Sequence, residues 1–450
     1  MAVISGMSLG HGLAKNQHRR RIVIRFKPDV LVPYQAEAFS GADSMRKLAW
    51  NTVRGLLPGS KMLPYFDAAP GAALAALSKR VAKKGLSMLE RFFVLECPLP
   101  VDLAPVIKLL NQFSEIEVAY AESGPVPPPV TPGNDSKSHS QRYLDPAPGG
   151  IDARFAWSKG LDGSGVGFVD VEQGWTLDHE DLAAAGISLI SGVNYDYFGH
   201  GTAVLGQVRA VDNSTGCIGI APGVSTRVVS QFRTPEEYLT AAAILDAAAV
   251  MNPGDVLLLE AQTWYGQSNV NWPVEVEDAV CAAIQHATAM GIIVVEAGGN
   301  GSADLDGFED EAGRRTLNRS DPNFRDSGAI LVGAASASVP HRRLPFSNYG
   351  SRVDCFGWGE AITTLGDGQR GNGRATYTED FGGTSGASPI VAGAALLVQA
   401  ERARSGALPL SPSALRDLLS SRKLNTSSGN PPDDRVGVMP DLRNLLQSFS

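Results

Sequence analysis

No stretch of this 450-residue chain approaches the roughly 20 consecutive apolar residues needed to cross a bilayer, so no membrane span is expected. The N-terminus, MAVISGMSLGHGLAKNQHRRR, lacks the order of basic segment, long apolar run and small-residue cleavage site that marks a secretory leader. On that ground the expected location is cytoplasmic, or outside the cell by a non-classical route. Cysteine is scarce: Cys97, Cys217, Cys281 and Cys355 form no C-x-x-C pair, which argues against a zinc site or a dense disulfide framework and leaves buried thiols as the expectation. No repeat of fixed period is present. The basic cluster from His18 to Arg21 has neither aromatic interleaving nor a recognition motif, so it is read as a solvated arm and no nucleic-acid partner is expected. What is present is an ordinary globular composition, 43% hydrophobic and 19% charged, long enough for two or three domains.

Charge divides the chain. The first 122 residues carry a net +6 and the remainder −14, together the −8 of the whole, so a basic front piece precedes an acidic body. Between them SGPVPPPVTPGNDSKSHS, Ser123 to Ser140, is rich in Pro, Ser and Gly and reads as an exposed linker. Before it, RIVIRFKP, RFFVLECPL and IEVAYAES read as strands and SMRKLAWNTVRGLL and DLAPVIKLLNQF as helices, giving a small α+β domain over residues 1–122. From residue 141 to 450, apolar runs such as GVGFVDV, DVLLLEAQ, GIIVVEAGGN and GAILVGAAS alternate with helical stretches. That pattern predicts an α/β body with a mostly parallel sheet covered by helices, and ligands beyond the carboxyl ends of the strands.

Polar residues stand where such a frame puts a site. Asp170 lies at the end of an apolar strand, His200 between two glycines at the start of a helix, and Asn300 just past another strand end. Ser385, in FGGTSGASPIVAG, falls at a helix N-terminus, where unpaired N–H groups and the helix dipole favour negative charge. Gly382, Gly383, Gly386 and Ala387 clear the approach to its hydroxyl, and Pro389 is placed near the helix start, where a missing N–H costs little. Taken singly, each has a plainer reading: Asp170 and Asn300 as turn residues, Ser385 as an N-cap, His200 as a lone histidine. Their joint order is what points to nucleophilic catalysis.

With these residues in place the chain resembles the subtilisin-like serine peptidases. Asp170, His200 and Ser385 occur in that family's order; H-G-T-x-V-x-G is matched from His200 to Gly206, and G-T-S-x-A-S/A-P from Gly383 to Pro389. Lesser matches are GIAPG, Gly219 to Gly223, FSNYGSRVD, Phe346 to Asp354, and GVMPDL, Gly437 to Leu442. The resemblance covers residues 141–450 and implies a three-layer subtilisin-like fold and a serine endopeptidase. In that reading Ser385 is the nucleophile, His200 the base, Asp170 the orienter of the imidazole and Asn300 the oxyanion donor. It implies no required cofactor or catalytic metal. Asp181, in LDHEDL, matches a segment that carries a calcium ligand in some relatives, but with no full ligand set it is read as a helix-capping carboxylate. The front domain is similar to the inhibitory prodomain of such peptidases, which implies a self-processing zymogen whose partners are protein or peptide substrates and its own N-terminal domain.

Departures from the family pattern mark the open points. Val171 and Glu172 follow Asp170 where the family has a small hydroxyl residue and glycine, and LLLEAQTWYG replaces an S-L-G-G-like strand that pairs with substrate. The resemblance therefore places Glu260 and Gly299 beside the substrate, with Glu260 as a pocket carboxylate for a basic side chain or as an internal partner. His179, His286 and His341 lie outside every motif and are read as structural or solvent-facing. Two other activities stay compatible with the pattern: a catalytically silent binding protein of the same fold, and a peptide ligase or macrocyclase.

Overall fold

The computed structural model describes residues 21–30, 32–33, 44–65, 91–97, 102–122, 130–266 and 269–449. The chain divides into two compact units, residues 1–126 with 402–408 and residues 127–401 with 409–450.

In the smaller unit four strands, β1 Arg21–Phe26, β2 Lys61–Pro64, β3 Phe92–Glu96 and β4 Ile116–Ala121, form an antiparallel sheet in the order β2-β3-β1-β4. Side chains alternate across a strand, so Ile22, Ile24 and Phe26 fall on one face and meet Phe93 and Leu95 of β3. Helices α1 Ser44–Leu56 and α2 Ala104–Leu110 add Val53, Val106 and Leu110 to this core. The strands and helices expected from the pattern are all found; β2, only four residues long, is an addition.

The larger unit is built on nine strands. They are β5 Gly167–Glu172, β6 Ser188–Ser191, β7 Ser225–Ser230, β8 Val256–Leu259, β9 Ile293–Ala297, β10 Ile330–Ala335, β11 Cys355–Trp358, β12 Thr426–Ser427 and β13 Val438–Met439. Their order is β12-β13-β11-β10-β9-β8-β5-β7-β6, parallel except for the terminal β12–β13 pair. The central strands VLLL, IVVEA, ILVGAA and CFGW are buried along their whole length, as parallel strands covered on both faces must be.

Each face has its own core. Phe168, Val256, Leu258, Ile293 and Val295 pack toward helices α3 Phe198–Arg209, α6 Thr384–Arg404 and α7 Pro412–Leu419. Val169, Val171, Leu257, Leu259 and Val294 pack toward α4 Thr240–Ala248 and α5 Asp278–Ala289. This three-layer α/β arrangement is the one the sequence led us to expect. Helix α6 is buried all round from Gly386 to Ala400, as its unbroken apolar run requires.

The chain leaves β5, builds β6 and β7 on one side, then crosses to β8 on the other. The strand order thus reverses between β5 and β8, the kind of place beyond whose strand ends open α/β sheets hold their ligands.

Part of the expected linker is not a linker. Residues 123–129 lie outside the described residues, but residues 130–140 are folded onto the larger unit. Thr131 N donates to Asp212 Oδ2 at 2.7 Å, Lys137 N to Gly216 O at 2.7 Å, and Asp135 Oδ1 accepts from Asn213 N and Thr215 N. Thr131, Asp135 and the Lys137 backbone, read in the sequence as linker residues, here serve as hydrogen-bonding groups for the 212–216 loop.

Candidate active site

Three side chains converge on one cleft of about 570 Å³ lined by His200, Asn300 and Ser385. Ser385 is the second residue of α6, half-buried, with Gly383 before it at φ 79°, a left-handed conformation that glycine adopts without strain. A side chain at Gly383 would also crowd Asn300 Nδ2, at 3.3 Å from a Cβ. Pro389 lies more than a full turn inside α6 rather than at its start, so the Ser385 carbonyl lacks its usual intrahelical donor.

Asn300 follows β9. Its Oδ1 accepts from Thr384 N at 2.9 Å and Thr384 Oγ1 at 3.1 Å, which fixes the amide with Nδ2 as its free donor, next to the helix end that carries Ser385. Gly299, expected beside the substrate, does not line the cleft. It is buried at φ 85°, and a Cβ there would meet Asn271 O at 2.7 Å and Asn348 Nδ2 at 2.8 Å; close packing explains this glycine.

His200 lies in the first turn of α3, and its ring meets Phe381 edge-on at 5.4 Å. The two residues after it explain the H-G-T spacing. Gly201 lets α3 press against the turn after β5, where a Cβ would come within 2.3 Å of Gly174 O, and Thr202 Oγ1 accepts from Thr176 N at 2.8 Å. This close fit brings the imidazole to the end of β5.

The carboxylate that meets it there is Glu172, not Asp170. Glu172 Oε1 makes a short hydrogen bond with His200 Nδ1 and is itself almost fully buried, at 2% exposure. Asp170 is also buried, but its Oδ2 accepts from Trp175 Nε1 at 2.7 Å and its Oδ1 has no hydrogen-bond partner in the structure. Both side chains point to the α3/α6 face because they stand two residues apart on one strand. Only the one at the strand's end reaches the imidazole.

The correction removes one departure from the family pattern. Glu172 is followed by Gln173 and Gly174, which restores the glycine two positions after the acid. That Glu-x-Gly spacing is the signal in the sequence that points to Glu172.

Burial disfavours a charged imidazole, but the charge of Glu172 and its hydrogen bond outweigh that, and the pKa of His200 is raised above its ordinary 6.5. The pKa of Asp170 is pushed well above the usual carboxylate range by burial and then by the charge of Glu172. Among the described residues no hydrogen bond joins Ser385 Oγ to His200 Nε2, although both line the cleft; such bonds are often loose until substrate binds.

Glu260 is not a pocket carboxylate. It follows β8 at 4% exposure, is absent from the cleft wall, and its Oε1 accepts a short hydrogen bond from Ser388 Oγ on α6. Acidic groups that do line the cleft are Glu360, Asp367 and Asp380, with no lysine or arginine among the lining residues, a feature no sequence motif announced.

Asp181 is no helix cap. Its carboxylate takes Cys217 N at 2.8 Å, Tyr377 Oη at 3.1 Å and Asn213 Nδ2 at 3.3 Å, tying down the 213–217 loop. With those donors on its oxygens it does not fit a calcium ligand. Among the described residues no group of three or more His, Cys, Asp or Glu is placed to share a metal ion. His179 and His341 are buried, with their rings hydrogen-bonded to backbone, as structural histidines.

Residues 192–438 match the profile of the peptidase S8 group, the subtilase family, a span that includes His200, Asn300 and Ser385 and begins after Glu172. The chain belongs to the subtilase family. It is similar to subtilisin DY of Bacillus licheniformis, 31% identical over 272 residues, which is 60% of this chain and 87% of that protein. It is also similar to the alkaline protease of Alkalihalobacillus alcalophilus, 28% identical over 311 residues, 65% of this chain and 72% of that one.

Two solved structures share the subtilase fold. Proteases from Pseudoalteromonas arctica PAMC 21717 superpose with a TM-score of 0.51 at 19% identity, over 71% of this chain and all of that one. Fervidolysin from Fervidobacterium pennivorans superposes at 0.50 and 17% identity, over 97% of this chain and 62% of that one. This subtilase is thus a subtilisin-like serine endopeptidase, a hydrolase of peptide bonds.

Proposed function

We propose that the subtilase cleaves peptide bonds through Ser385, His200 and Glu172. Ser385 Oγ attacks the scissile carbonyl while His200 Nε2 takes its proton, forming an acyl-enzyme, and the same imidazole returns the proton to the leaving amine. Glu172 holds Nδ1 and stabilises the imidazolium. The amide Nδ2 of Asn300 and the Ser385 N–H serve the oxyanion. The observation that carries this reading is His200, bonded to a buried carboxylate through Nδ1 and sharing its cleft with Ser385 and Asn300.

The chain is further proposed to be a self-processing zymogen whose substrates are proteins or peptides and whose N-terminal unit acts as an intramolecular inhibitor. That unit's own hydrophobic core and its basic charge, opposite to that of the body, support this part. One experiment tests both. Wild type should label with a serine-directed fluorophosphonate and lose its N-terminal residues on purification, whereas Ser385→Ala should fold, stay unlabelled and keep its original N-terminus. Labelling of the variant would overturn the nucleophile, and equal processing of both would overturn self-cleavage.

A further inference from the structure

Glu260 is a buried carboxyl that the mechanism above leaves without a task. It stands directly after β8, at the strand-order reversal, with its backbone fixed on both sides: its N–H donates to Val171 O at 3.2 Å and its carbonyl accepts from Gln231 Nε2 at 3.3 Å. Its Oε1 accepts from Ser388 Oγ, whose position is set by residence on α6, one turn after Ser385. Its Oε2 is buried without a hydrogen-bond partner.

The charged neighbours explain why that matters. Asp170 and Glu172 act on Glu260 from β5, and Ser385, one turn before Ser388 on α6, is the hydroxyl on its other side. His200, the one basic side chain in this group, is already bonded to Glu172. Among the described residues no lysine or arginine pairs with Glu260. Of the three buried carboxyls only Glu172 has the imidazole as a partner, and a second negative charge in the group would be uncompensated at low dielectric. Burial pushes the pKa of Glu260 well above the carboxylate range, the hydrogen bond from Ser388 and the nearby Ser385 hydroxyl act the other way, and the charges of Glu172 and Asp170 add to the rise.

We propose that Glu260 is a positioning residue for Ser385: a carboxylic acid that keeps its proton throughout the reaction, is bonded to Ser388 through Oε1 and turns its Oε2 toward the nucleophile. No proton leaves Glu260 in any step; the proton of Ser385 still goes to His200. The inference rests on Ser385 being the nucleophile. Its consequence is an alkaline limit built into the site. Once Glu260 ionises, its charge opposes the oxyanion forming beside Ser385, and kcat/KM should fall roughly a hundredfold or more.

The test compares pH profiles of kcat/KM and of fluorophosphonate labelling for wild type, Glu260→Gln and Ser388→Ala. Glutamine offers an N–H donor and a carbonyl acceptor, as the neutral acid offers O–H and carbonyl, but cannot ionise, so the alkaline fall seen in wild type should vanish. Ser388→Ala removes a group that favours the charged form, so the fall should move to higher pH. A merely structural Glu260 would leave the shape of the profile unchanged. Identical alkaline limbs in wild type and Glu260→Gln, or no limb in wild type, would overturn the proposal. If Glu260→Gln fails to fold, the direction of the shift in Ser388→Ala decides, and a shift to lower pH or none refutes it. Wild type that never labels would instead refute Ser385 as nucleophile, and this inference with it.

Discussion

Glu172→Gln and Asp170→Asn together decide which acid serves His200. Replacing Glu172 removes a charge bonded to the imidazole in a site where Glu172 is 2% exposed. For unit charges about 4 Å apart at an effective dielectric near 20 the attraction is about 4 kcal/mol, a factor of roughly a thousand in rate. An amide can also turn its N–H toward Nδ1 and stabilise the wrong tautomer, which brings the expected loss in kcat to about ten-thousandfold. Asp170→Asn should stay within about threefold of wild type. Its carboxyl is held by Trp175, does not touch His200, and is kept toward its neutral form by burial, so asparagine keeps the acceptor for Trp175.

The same pair predicts a pH effect. Because Glu172 raises the pKa of His200 above 6.5, the acid limb of kcat/KM in wild type should lie above 6.5, the free base being lost as pH falls through that value. Any residual activity of Glu172→Gln should show the limb at lower pH. The assay is steady-state cleavage of a chromogenic peptide across pH, with circular dichroism to confirm folding. A ten-thousandfold loss in Asp170→Asn with little loss in Glu172→Gln would refute the assignment.

Two further outcomes follow from the same geometry. Asn300→Ala should lower kcat by roughly a hundred- to a thousandfold with little change in KM, since its amide serves the oxyanion and not the ground state; a change confined to KM would contradict this. Arg352 is fully buried, with Nε on Glu275 Oε1 at 2.6 Å, Nη2 on Glu275 Oε2 at 2.8 Å and Nη1 on Asp354 Oδ2 at 2.8 Å. Arg352→Met leaves Glu275 without its cation, while Asp354 keeps Arg319, and should cost about 3–5 kcal/mol in urea unfolding of a catalytically silenced background, whereas a loss below about 1 kcal/mol would show the network to be dispensable.

Much of this protein was written into local sequence. Continuous apolar runs such as VLLL and ILVGAA specify strands buried on both faces, and small residues around Ser385 specify an open approach to a hydroxyl at a helix end, because periodicity and side-chain size act within a few residues of where they are read. His200 and Asn300 were legible for the same reason, each beside glycines at the end of an element. The sequence alone also carried the charge contrast between the two units.

What tertiary structure decided were choices between neighbours that local pattern cannot separate. Asp170 and Glu172 share a strand face, and only the approach of α3, set by Gly201 against Gly174, selects Glu172. Glu260 left the pocket because α6 brings Ser388 to it across 128 residues of chain, and residues 130–140 ceased to be a linker because the 212–216 loop offers them partners. A carboxylate's role depends on which partner and how much water surround it, and both are supplied by segments distant in sequence.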